Sequence, residues 1–189
     1  MKVPAYNKNN RKQHFEQLPK GAYVCKIKHL EETKSKSGKA MIKLCFDIAE
    51  GDYKDFYEKQ YKANTNEDKD WSYDATMYML IPYEGCDSWM TDQWDTFWAN
   101  IEDSNNGYVF AGDEKKTVNK VFGGVFRIEE SESNTGNVYR HTKLAYSVIA
   151  QDVRDGKTKP AKDKLVGVEG SPDDFVNVPE SSAEDLPWK

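Results

Sequence analysis

The sequence is poor in the residues that most enzymes and metalloproteins rely on. Cysteine and histidine occur three times each in 189 residues. Cys25, Cys45 and Cys86 are odd in number and far apart, so neither a disulfide framework nor a zinc site follows. Cys25 and Cys45 fall in strand-like runs and read as small core residues. His14, His29 and His141 lack metal-ligand spacing. No apolar run approaches the roughly 18 residues of a membrane-crossing helix. The start, Met1 to Asn7, has no apolar stretch of the kind a secretory signal needs, and an intracellular protein is expected. Phosphate-cradling glycine motifs are missing: Phe122-Gly123-Gly124-Val125 has neither the spacing nor the lysine of a P-loop. No serine lies in a Gly-x-Ser-x-Gly elbow. Together these absences argue against an enzyme and against a bound metal or cofactor.

Aromatic residues and charge are present in quantity. Aromatics make up 13% of the chain, with five Trp and eleven Tyr, enough for a real core and some aromatic surface. The net charge of −5 conceals its distribution. Residues 1–43 carry eleven Lys/Arg against three acids, residues 44–114 four against seventeen, and residues 115–168 eleven against six. Two basic segments therefore flank an acidic middle, and a basic face would form if they met in space. The last stretch, 169–189, has six acids, one Lys, Pro and Ser spacers and almost no aliphatic content. Such a composition cannot bury enough apolar surface to fold and reads as a disordered acidic tail.

Along the chain, residues 1–18 form a basic arm, 19–156 the folded domain, and 157–189 a Lys/Pro linker and the tail. Gly21 to Leu30 alternates and reads as a strand. Thr33 to Lys39 is a polar turn. Ala40 to Ala49 alternates again, giving an antiparallel hairpin with a Lys-rich loop. Phe56 to Tyr61 is expected as a third strand, and residues 63–87 yield no clear element. Trp89, Trp94, Phe97, Trp98 and Ile101 recur at helical spacing, which predicts a helix over Ser88–Asp103 that packs an aromatic stripe on the sheet. Val118 to Ile128 reads as a strand bent at Gly123-Gly124. Val138 to Val153 supplies the last strand.

The expected class is mainly β with one or two helices. Five strands, with a helix between the third and fourth and a glycine-bent strand, match the Greek-key barrel called the OB-fold; a sandwich or another α+β arrangement is the alternative. On that barrel, single strands bind across the face of strands 2 and 3 and the loops between strands 1–2 and 4–5. Positive charge tracks the backbone there and aromatic faces stack on bases. The candidates are Lys26, Lys28, Lys34, Lys36 and Lys39 from the first hairpin; Phe56, Tyr57, Lys59 and Tyr61 from the proposed third strand; and Arg127, Tyr139, Arg140 and Lys143 from the last hairpin. The acids Asp47, Asp52, Asp55, Asp68, Asp70 and Asp74 fit no Mg²⁺ motif and read as a solvated face.

The chain resembles phage- and mobile-element-encoded single-stranded DNA-binding proteins of the OB-fold type. Leu18 to Val24 with the Lys-rich hairpin, Asn100 to Tyr108 followed by Phe122 to Phe126, and Ser147 to Lys157 carry the likeness, spanning most of residues 18–165. The tail is similar to the acidic tip of bacterial single-strand binders, with Asp173, Asp174 and Phe175, then Glu184, Asp185, Leu186, Pro187 and Trp188; here Lys189 follows the aromatic. The resemblance implies sequence-independent coating of single-stranded DNA during replication or recombination in a bacterial host's cytoplasm. It also implies partner recruitment through the tail and a possible homo-oligomer. Two rivals remain: a phage-encoded adaptor or DNA-mimic inhibitor without nucleic-acid affinity, and a Mg²⁺-dependent nuclease or recombination accessory built on the acidic segment.

Overall fold

The computed structural model describes residues 15–167. The chain is mainly β there, with five strands and four helices among the described residues. Strand β1 (Gly21–Lys34) pairs antiparallel with β2 (Ala40–Ile48). A tight turn joins them: Ser35 N–H donates to the Lys39 carbonyl and Gly38 N–H to the Ser35 carbonyl, both at 2.9 Å. Gly38 sits at φ 85°, a conformation that favours a residue without Cβ. Strand β3 (Thr76–Leu80) adds to β2, and β4 (Val121–Glu132) returns to the other side of β1, with β5 (Val138–Val148) beyond it. All four pairings are antiparallel and the order is β3-β2-β1-β4-β5. Placing the fourth strand beside the first is the Greek key. Among the described residues no backbone ladder joins β3 to β5, so the expected barrel is an open sheet along that seam.

Alternate residues of β2 explain the core. Ile42, Leu44, Phe46 and Ile48 turn inward with Ile27, Leu30, Phe122 and Phe126, all buried. Phe46 is the hub, meeting Tyr57, Phe122 and Phe126 edge-on at 5.9–6.3 Å. Helix α2 (Ser88–Ser104) lays Phe97, Trp98 and Ile101 on this core, as the aromatic stripe predicts. Its C-terminal end is fixed by Asn105, whose amide donates to the carbonyls of Ile101 and Val121 at 2.7 Å each and accepts from Val121 N–H at 3.0 Å. Asn100 ties the same helix to the Ser147 carbonyl on β5 at 3.0 Å.

The third strand is the main correction. Phe56 to Tyr61 belongs to helix α1 (Phe56–Ala63), and β3 comes from the stretch in which sequence reading found no element. The aromatics mimic a strand, but the i,i+4 pair Glu58–Lys62 (2.7 Å) carries a helical signature. A tertiary cap decides the matter. The carboxylate of Asp47, buried on β2, accepts the N–H groups of Tyr57 (3.0 Å) and Glu58 (3.1 Å), two of the orphan donors in the first turn. Burial pushes the Asp47 carboxyl up, while the donated N–H groups hold it down.

The last expected strand also ends early. β5 stops at Val148, and Ala150–Arg154 forms the short helix α4, which packs against β4. Gly123 and Gly124 make room for this: a Cβ on Gly123 would lie 2.6 Å from Val148 and 2.7 Å from Val153. The β4–β5 register slips between Val125 and Phe126, next to the expected bend. A short helix α3 (Glu114–Thr117) precedes β4. Part of the expected linker is ordered onto the sheet. Lys164 N–H donates to the Ile128 carbonyl and Glu130 N–H to the Lys164 carbonyl, both at 2.8 Å, along the part of β4 that β1 does not reach. The Asp163 carboxylate accepts from Ile128 N–H and pairs with Lys20, which draws the two ends of the described chain together.

Candidate nucleic-acid interface

Register places the outer face of the β1–β2–β3 sheet. Lys43 lies opposite Tyr78 and also opposite Glu31, whose carboxylate pairs with its ammonium at 3.1 Å, on the side turned away from the core. One end of this face adjoins the β1–β2 turn, because Met41 pairs with Leu80. Lys34, Lys36 and Lys39 are exposed on that turn. At the other end, a 3₁₀ turn (Tyr73–Ala75) leads into β3 and meets the first half of β5 across the seam.

Side chains hold the seam. His141 Nδ1 lies 2.8 Å from the Asp74 carboxylate. The Lys143 ammonium donates to the Tyr73 carbonyl at 2.6 Å and sits 3.6 Å from the centre of the Tyr73 ring. Burial pulls the Lys143 ammonium down to about 8, against the opposing pull of Asp74 and Glu129. Beyond it, Tyr139 and Arg140 are exposed on β5. Lys43, Tyr78, Tyr73 and Lys143 thus follow one another from β2 to the seam, and Tyr139 lies further along the same side of β5, whereas Arg140 turns to the other side, towards Glu130 at 3.9 Å.

The expected site residues divide into three groups. Lys34, Lys36, Lys39, Tyr139 and Arg140 stand exposed at the two hairpin ends, and Lys143 lies between them at the seam. Lys26 and Lys28 are engaged elsewhere, paired with Asp55 at 2.5 Å and Glu58 at 2.9 Å. The third group leaves the face because α1 replaces the expected strand. Tyr57 is 2% exposed, and Phe56 packs edge-on against it at 5.2 Å. Lys59 is exposed but donates to the Lys54 carbonyl. Tyr61 lies against Trp71 beneath the Lys69 ammonium. Arg127 is 9% exposed and bonded to Glu129 at 2.9 Å. The tail candidates from Asp173 to Trp188 lie outside the described residues.

Lys43, Tyr73 and Tyr78 are on this face and absent from the sequence-based set. Lys43 read as one alternating residue of a strand, and β3 is too short to show a period. The only available signal was the tyrosine spacing within 73–78.

The acids of the middle segment do gather: carboxylate oxygens of Asp47, Asp55 and Glu58 lie within 4.8 Å of one another. Three ammonium groups already serve this corner, since Lys26 pairs with Asp55 and both Lys28 and Lys62 pair with Glu58. Hydrogen bonds from Lys62 and Lys28 hold the Glu58 carboxyl down at about 2. The arrangement is a charge-balanced brace between β1 and α1.

A family model described as a protein of unknown function (DUF669) matches residues 5–80, the segment holding β1, β2, α1 and β3. No curated protein matches the chain.

Proposed function

We propose that the protein binds single-stranded DNA without sequence preference, along the outer face of β2 and β3 and the two hairpins that flank it. One observation carries the reading: Tyr78, opposite the Glu31-paired Lys43, lies on a face bordered by an exposed Lys34-Lys36-Lys39 turn at one end and, across the seam, by the exposed Tyr139 of β5. A basic track with interleaved aromatic faces is what a sequence-tolerant single-strand binder requires. The five-stranded Greek key with a helix between its third and fourth strands supports the same reading, since partly open barrels of this kind present oligonucleotides to that face. No covalent step is involved. The expected place of action is replication or recombination in a phage or mobile element, with the acidic tail recruiting other proteins.

The test is fluorescence anisotropy of a labelled oligo-dT of about 30 nucleotides, a length that covers several footprints, run at low and moderate salt beside a duplex of equal length. Saturable binding that weakens with salt and exceeds duplex binding supports the reading. No binding at micromolar protein overturns it.

A second reading has its own observation. Helix α2 carries Asp92, Asp95 and Asp103 at exposed positions and no Lys or Arg anywhere in its length. An acidic helix face suits a basic protein partner, and this adaptor reading takes first place if DNA binding fails.

A further inference from the structure

Tyr73 stands where β3 and β5 approach without pairing. Its side chain belongs to neither strand's core row: the residue is 40% exposed, among the most open aromatics of the described chain. The ring is nevertheless held in place. The Lys143 ammonium lies 3.6 Å from its centroid and the His141 imidazole meets it edge-on at 5.1 Å and 72°. Both neighbours are anchored in turn, His141 by Asp74 at 2.8 Å and Lys143 by the Tyr73 carbonyl at 2.6 Å. Burial lifts the Tyr73 phenol to about 12, and its phenol is close enough to Tyr78 for the two to interact electrostatically. The nearby acids are engaged: Asp74 with His141, and Glu129 with Arg127 at 2.9 Å.

We propose that Tyr73 is a base-stacking platform, braced by Lys143 and His141, which continues the track from Tyr78 across the β3–β5 seam to Tyr139. The inference rests on the single-strand reading above. An exposed ring that is already ordered loses little freedom when a base stacks on it, so more of the stacking energy appears as affinity. A cation against a tyrosine face is itself favourable and helps hold the ring in one orientation. The seam explains the placement. A closed ladder between β3 and β5 would cover this position with backbone, whereas bridging by side chains leaves an aromatic at the surface between two strands.

Three variants and one crosslink test it. Tyr73→Phe keeps the ring and should bind oligo-dT within twofold of the parent. Tyr73→Leu keeps the apolar volume but not the flat face, and should bind about 5- to 150-fold more weakly, the loss expected of one stacked base. Lys143→Met should bind more weakly with the ring retained. Irradiating the unaltered protein with oligo-dT carrying 5-iododeoxyuridine should attach the oligonucleotide to the peptide containing Tyr73. The inference is overturned if Tyr73→Leu melts and binds like the parent, or if the crosslink maps elsewhere on a protein that does bind. Should Tyr73→Leu fail to fold, the crosslink on the unaltered chain decides. A parent that binds no single strand removes the functional reading and this one together, a result distinct from a parent that binds normally without Tyr73.

Discussion

At the scale of single residues, Lys143 shows how a sequence candidate changes meaning once its surroundings are known. It was expected as a phosphate contact on the last strand. The fold instead puts most of it into the seam, where desolvation brings its ammonium down to about 8. An unfolded lysine titrates near 10.4, so between about pH 8 and that value the unfolded chain binds more protons than the folded one. Folding stability from this group therefore rises with pH across that window and is lowest below it, where both states are charged. Chemical denaturation from pH 7 to 10.5 should show this rise, and Lys143→Met should flatten it. Tyr57 makes the complementary case. Its hydroxyl is buried and has no hydrogen-bond partner among the described residues, and burial drives its phenol well above the ordinary range. A buried unsatisfied hydroxyl is a standing penalty. Tyr57→Phe should therefore keep the ring contacts with Phe46 and raise stability by about 1 kcal/mol, leaving oligonucleotide affinity unchanged; a clear loss of stability in urea would show that the hydroxyl is satisfied.

At the scale of elements, legibility followed length and local period. β1, β2 and α2 are long enough for alternation or a helical stripe to dominate; β2 and α2 were readable nearly to their ends, while β1 runs on to Lys34, past the expected Leu30 and into the expected turn. β3 has five residues, four of them large and apolar or aromatic, and no period can be recognised over so short a run. α1 was misread for a different reason: the residue that stabilises its first turn, Asp47, lies ten residues before Tyr57 on another element. Two of the site's three unforeseen residues follow from the first difficulty, since Tyr73 and Tyr78 are misplaced whenever β3 is missed. The cap makes a direct prediction. Asp47→Ala removes the acceptor for three N–H groups, those of Ile48, Tyr57 and Glu58, in a buried corner and should lower stability by about 2 kcal/mol, with loss of helical signal from α1 and an unchanged sheet. Gly123 is the matching case of close approach. Gly123→Ala would force a methyl to within 2.6 Å of Val148, and overpacking of this kind costs about 1–3 kcal/mol. A melting temperature equal to the parent's would show that α4 can move away freely.

At the scale of the whole molecule, the fold narrows the basic face that the charge distribution suggested. The acidic middle segment folds back on the basic ones: Asp55 and Glu58 take up Lys26 and Lys28, and Glu50 takes up Arg154 at 2.7 Å. Among the described residues, Lys26 and Lys28 are thereby balanced against α1, while Lys34, Lys36 and Lys39 stand exposed at the β1–β2 turn. Salt dependence separates the two kinds of lysine. Each phosphate neutralised by a single-strand binder adds about 0.7 to the slope of log affinity against log salt. Replacing Lys34 and Lys36 together by Ala should therefore weaken oligo-dT binding and reduce that slope by about 1.4. Replacing Lys26 and Lys28 should leave the slope nearly unchanged, because Asp55 and Glu58 already neutralise them, and should instead loosen the brace to α1. Equal slope changes in the two double variants would mean that the brace opens on binding and that the interface extends over β1; no change in either would move the site away from the first hairpin altogether.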